Sequence, residues 1–233
     1  MAVTFANPPW NFLDHGNRPM GYDVDVAREV ARRLGIETVK FIGSDFANFV
    51  GGVRAGRFDI VIAGQSITAA RREMVDFSRP YAVNGVAIFV RNGNTGIHDV
   101  RDLAGMRIAV SEGTVQAAFA RTSVRNAEVK TYRNATLALT DLSWGRADAA
   151  LVSRFQGGYL AAEKGLAITP VAILHDYVLS MSFHKGSPAF KKAVDDAIDG
   201  MAGDGTLSAI SRSWLGGLDM AAELRRLPPA GTP

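Results

Sequence analysis

No cysteine occurs among the 233 residues of this chain. That absence removes disulfide staples, thiolate nucleophiles and cysteine metal ligands together. It leaves the compartment open, because an exported protein manages without bridges when its core is large enough. Long hydrophobic runs are missing too: "VAIFV" and "DAALV" fall far short of the roughly 18 residues that cross a bilayer. Charge of one sign never accumulates. The 26 Lys and Arg and 23 Asp and Glu leave a net +3, scattered without a basic block or an aromatic-basic stripe, which argues against a nucleic-acid surface. His15, His98, His175 and His184 stand apart, with neither a His-x-x-x-His spacing nor a carboxylate cluster, so neither a metal nor another cofactor is expected. "GQS" lacks the G-x-S-x-G elbow of a nucleophilic serine. A leader is not visible either. Met1-Ala2-Val3 enters an apolar stretch without a basic n-region, which fits a cytosolic protein or a mature domain whose leader has been removed.

What is present is an α/β pattern. Apolar runs alternate with helical patterns through most of the chain, the signature of βα units on mainly parallel sheets, and two lobes are expected. "GYDVDVAREVARRLG" carries Val24, Ala27, Val30, Ala31 and Leu34 at spacings of three and four, with Asp23 as the expected start signal and Gly35 as the stop. "TVKFIG" reads as a strand, "FANFVGGVRAG" as a short helix, "FDIVIAG" as a buried strand and "TAARREM" as a helix opened by Thr68. After "VDFSRPYAVNGVAIFVRNG" a second series follows. Its strands are "RIAVSEG", "AEVKTYR" and "ADAALVS", and its helices "TVQAAFARTSV", "ATLALTDLSWG" and "FQGGYLAAEKG". "YVLSMSFHK" is strand-like, two helices close the pattern, and residues 229–233 read as a frayed tail.

The junction after "DIVIAG" is unusual. A strand that should be followed by a loop runs into Gly64, Gln65, Ser66 and Thr68, with Arg71 three residues on. In open α/β sheets ligands sit beyond the carboxyl ends of strands, so this segment belongs at a cleft. Helix starts present unpaired N–H groups and partial positive charge, and Arg71 adds a fork suited to a carboxylate. On residue types alone, Thr68 is equally a plain N-cap and Arg71 a solvated helix residue. "SEGTVQ" offers a similar device: Gly113 permits a tight turn, and the N–H groups of Thr114 and Val115 open the next helix, with Gln116 behind them. It is equally a simple strand-to-helix turn.

"PPWNF", "GYDVDVAREVARRLG", "GRFDIVIAGQSIT" with Arg71, "VDFSRPY", "DLAGMRIAVSEGT", "GRADAALV" and "DGTLSAISRSWLG" occur in order. Together they resemble the extracytoplasmic solute-binding proteins of polar amino-acid ABC transporters, which have the type II periplasmic binding fold. The likeness spans nearly the whole chain. It implies two lobes, residues 1–86 with 180–228 and residues 87–179, joined by crossovers near Asn84 to Phe89 and Leu179 to Phe183, with the ligand between them. The implied ligand residues are Asn7, Trp10, Phe46, Ala63, Gly64, Ser66, Arg71, Thr114, Val115, Gln116, Ser153 and Asp176. Phe46 matches a position that packs on the ligand side chain; Trp10 and Phe12 match wall-supporting positions. Asn7 stands where amino-acid binders often carry an opposing aromatic. Ser153 stands where an aspartate for the ligand ammonium is common, and Asp176 is the candidate replacement. Implied too are export to the periplasm, delivery of an amino acid or amino-acid-derived carboxylate to an ABC permease, and a monomeric state. The alternatives are a cyclohexadienyl dehydratase-like enzyme, for which Glu112 is the one candidate acid or base, and the sensing domain of a receptor.

Overall fold

The computed structural model describes residues 1–227; residue 228 and the tail expected at 229–233 lie outside the described residues. The chain opens with β1 (Ala2–Val3) and a small antiparallel meander, β2 (Ala6–Asn7), β3 (Asn11–Leu13) and β4 (Pro19–Met20). Helix α1 (Tyr22–Arg33), β5 (Ile42–Gly43), α2 (Phe49–Arg54), β6 (Ile60–Val61), α3 (Ala69–Arg72) and the long strand β7 (Asp76–Arg91) follow. Next come β8 (Arg107–Ser111), α4 (Val115–Ser123), β9 (Glu128–Tyr132), α5 (Ala135–Ser143), β10 (Ala149–Ser153) and α6 (Arg154–Glu163). A second long strand, β11 (Ile168–Phe183), leads to α7 (Pro188–Gly203), α8 (Thr206–Trp214) and α9 (Met220–Arg226).

The main sheet has eight strands in the order β5-β1-β6-β11-β7-β10-β8-β9. At one end β5, β1 and β6 are parallel; at the other β10, β8 and β9 are parallel. Between them β7 and β11 pair antiparallel along most of their length, from Ile168 opposite Arg91 to Phe183 opposite Asp76. Alternation along the strands builds the cores. Val86, Ile88 and Val90 enter one cluster while Ala87 and Phe89 enter another on the opposite face, as a pleat of period two requires. In the first half the same rule sends Ile60 and Ile62 to one cluster and Val61 and Ala63 to the other. The closing helices return to the first half, where Val194, Ile198, Met201, Leu207 and Met220 join its larger core.

Two local readings need correction. "TVKFIG" forms a strand only at Ile42–Gly43, because β5 is an edge strand paired with β1 at Ala2 and Val3 alone. Asp23 is not the cap of α1: Gly21 holds that position, and the Asp23 side chain lies within the first turn, fully buried. Near the expected second crossover, Tyr177 packs against cores of both halves, and Leu179, Met181 and Phe183 lie inside the first core.

Candidate functional site

All three helices α4, α5 and α6 start where a strand of the second half ends, and all three starts face the first half across a cleft. Strand β8 ends at Ser111, a turn through Gly113 at φ +73° follows, and Thr114 caps α4 by accepting a hydrogen bond from the Ala117 N–H. Strand β9 ends at Tyr132, and Asn134 caps α5 through the Leu137 N–H. Strand β10 ends at Ser153, whose hydroxyl accepts from the Gln156 N–H at the start of α6. Thr114, Asn134 and Ser153 all line the cleft. Helix N-termini carry partial positive charge and unpaired N–H groups, so the wall of the second half is electropositive.

The first half contributes Thr4, Asn7, Trp10, Phe46, Gly64 and Ser66. Trp10 is buried and its indole Nε1 donates across to Ser153 Oγ at 3.4 Å, while its ring meets Tyr22 and Phe155 edge-on. Ser153 also accepts from Asn84 Nδ2 at 2.9 Å, so Asn84, on β7 between the halves, ties the floor together. Tyr177, opposite Asn84 on β11, accepts from Gln116 Nε2 at 2.9 Å. Burial pushes the Tyr177 phenol well above its ordinary range, keeping it a neutral hydrogen-bonding group.

Arg71 spans the rim. Its Nη1 donates to the Ser66 carbonyl oxygen at 2.7 Å and to Ser66 Oγ at 2.9 Å, and its Nη2 donates to the Gly113 carbonyl oxygen of the other half at 2.7 Å. The Phe46 ring lies beside the guanidinium, 5.4 Å from its carbon. Burial pulls the Arg71 pKa down from the usual arginine value. A second pair crosses the rim: Arg133 Nη2 donates to Asp45 Oδ1 at 2.8 Å. Gly113 also sits close under Ala47, where an added Cβ would come within 3.0 Å of the Ala47 Cα.

Behind the first-half wall lies a buried carboxylate. Asp23 accepts from the Tyr81 hydroxyl at 2.7 Å and from Asn11 Nδ2 at 2.7 Å. Asn11 Oδ1 in turn accepts from the backbone and side chain of Thr4, and the Tyr81 oxygen accepts from the Gly64 N–H at 3.3 Å. Two lining residues thus hang on one buried acid. With no cation beside it, burial pushes Asp23 up to about 6.

Nine of the residues expected at the site come together on the cleft: Asn7, Trp10, Phe46, Gly64, Ser66, Thr114, Val115, Gln116 and Ser153. Three do not line it. Ala63, just past β6, is buried in the core with Phe49 and Val61, while Ile62 joins the other cluster. Arg71 stands at the rim, its Nη atoms bonded to Ser66 and Gly113 rather than pointing freely inward. Asp176 is exposed, lies 3.7 Å from Arg154 Nη1 and is absent from the cleft lining. Glu112 is exposed as well, and Phe12 packs on Tyr159 and Trp214. Thr4, Asn84, Ser111, Arg133, Asn134, Gln156 and Tyr177 also line the cleft and were not expected. Two of them left a signal: Asn84 interrupts an apolar run, and Asn134 follows a strand and precedes a helical pattern, as an N-cap does.

Residues 1–217 match the bacterial extracellular solute-binding proteins, family 3. The chain belongs to that family. Among its curated relatives, the L-cystine-binding protein TcyJ of Escherichia coli K12 is 32% identical over 212 residues, covering 90% of this chain and 79% of TcyJ. Among solved structures, an ancestral arginine-binding protein bound to arginine superposes with a TM-score of 0.86 at 29% identity, covering 92% of this chain and 96% of that one. An ancestral amino-acid-binding protein described as a precursor of cyclohexadienyl dehydratase gives the same TM-score and identity, covering 92% and 93%. As a family 3 solute-binding protein, the chain has the two-lobe α/β fold of these neighbours, and the cleft lies between its lobes.

Proposed function

We propose that the chain is the substrate-binding component of an ABC importer, exported to the periplasm, where it closes its lobes on an amino acid or amino-acid-derived carboxylate and hands it to a membrane permease as a monomer. The lobes are residues 1–86 with 180–228, and residues 87–179. The observation that carries the reading is the convergence of three capped helix starts on one cleft, with Arg71 and Arg133 at its edge. Such a wall suits a carboxylate, whose oxygens take N–H donors and cationic forks together. Ser66, Thr114 and Val115 are its nearest hosts in this reading. The relatives' names, cystine and arginine binding among them, point to the same class of solute. Among the lining residues there is neither a carboxylate nor a histidine to move a proton, which favours capture over dehydration.

A thermal-shift panel of free amino acids, N-acyl amino acids and related carboxylates tests this. A ligand at a hundred times its dissociation constant adds about 2.7 kcal/mol to the folded state and should raise the melting temperature visibly. A flat response across the panel, with turnover of prephenate or arogenate instead, would replace the binding reading with the enzymatic one.

A further inference from the structure

The residues that line the cleft bring positive charge and no negative charge. The N-termini of α4, α5 and α6 face it, Arg133 lines it and Arg71 closes its rim. None of the lining residues is acidic. The carboxylates on the framing elements are all engaged or turned away. Asp45 pairs with Arg133, Asp176 lies beside Arg154, Glu112 is exposed, and Asp23 is sealed behind the wall with its oxygens held by Tyr81 and Asn11. At the start of α6, Ser153 presents a hydroxyl held by Trp10, Asn84 and the Gln156 N–H. The neutral polar groups are different. The side-chain amides of Asn7 and Gln156 line the cleft and have no side-chain hydrogen-bond partner among the described residues.

We infer that the ligand is a carboxylate whose nitrogen carries no positive charge, as in an N-acylated amino acid, rather than a zwitterionic amino acid or one with a cationic side chain. The inference rests on the proposed function, which puts the ligand in this cleft. An ammonium brought among three helix N-termini, with Arg71 at the rim and Arg133 already balanced by Asp45, loses its water and gains no counter-charge. An amide nitrogen carries nothing to neutralise, and its N–H and C=O groups meet the open amides of Asn7 and Gln156. The arginine of the solved neighbour, cationic at two positions, is accordingly a poor guest here.

The test is calorimetric titration of the full chain with each common L-amino acid and its N-acetyl counterpart. For the best-bound side chain the acetylated form is expected to bind at least about tenfold more tightly than the free form. The variant Ser153→Asp should reverse the preference, because aspartate caps α6 as serine does while placing a carboxylate beside Trp10 and Asn84. A free amino acid that binds the wild-type chain as tightly as its acetylated form overturns the inference and leaves the transport reading standing. No binding by either series overturns the inference, and the related carboxylates of the wider panel then decide the proposed function. Failure of Ser153→Asp to move the ratio while folded overturns the missing-carboxylate explanation; if the variant does not fold, the wild-type pairs decide alone.

Discussion

Among the described residues Asp23 is the one charged side chain in the fully buried set, and it sits without a cationic partner under two residues of the cleft wall. Its carboxyl is pushed to about 6 in the folded protein against 3.8 for the free group, so between those values the folded state holds a proton that the unfolded chain releases. Stability from this group is therefore fully present below about 3.8 and lost as pH rises through about 6, opposite in sign to the salt-bridged carboxylates. Urea unfolding at pH 7 and pH 5 should show the wild-type chain gaining on the order of 1 kcal/mol more than Asp23→Asn on acidification. Equal changes in the two proteins would mean the carboxyl is not desolvated. Asp23 also marks where residue-level reading failed: an acid at the start of an amphipathic helix looks like a cap, and only tertiary packing reveals the buried network. Arg71 stands at the cleft rim, as its place after the strand suggested, but a sequence cannot show that Gly113 of the other half supplies its acceptor.

Elements were more legible than contacts. Thr68 and Thr114 read as helix starts and are caps in the fold, because a hydroxyl before a helical pattern takes the first free N–H groups whatever the tertiary context. The βα alternation revealed both lobes, whereas the length of β7, Asp76–Arg91, was not legible in its apolar run. Strand ends were not legible, since pairing partners decide them: "FDIVIAG" pairs as a strand only at Ile60–Val61. The β8-α4 turn tests how an element serves the site. Gly113 has φ +73° and sits against Ala47 of the opposite lobe. Gly113→Ala should cost about 1–2 kcal/mol of stability through the left-handed backbone, and should also weaken ligand binding at least about tenfold because the new methyl holds the lobes apart. A melting curve and a titration separate the two. Lowered stability with unchanged affinity would show that the lobes do not close on this turn.

At the scale of the molecule, two 16-residue strands run through both halves and leave a cleft beside them. Asn84 and Tyr177 face each other on these strands and both line the cleft, so the connection between lobes and the floor of the site are the same residues. Relative movement of the lobes and occupancy of the cleft are thereby coupled in this account. In the proposed reading, an anion shared between Ser66 on one side and the Thr114 to Val115 helix start on the other adds to the bonds that Arg71, Arg133 and Trp10 already make between the lobes. The direct measurement is a calorimetric titration of the tightest ligand from the panel beside its methyl ester, which keeps the shape and removes the charge. The account predicts that the ester binds about a hundredfold more weakly, in line with loss of a desolvated charged contact. An ester that binds within about threefold of the acid would contradict it.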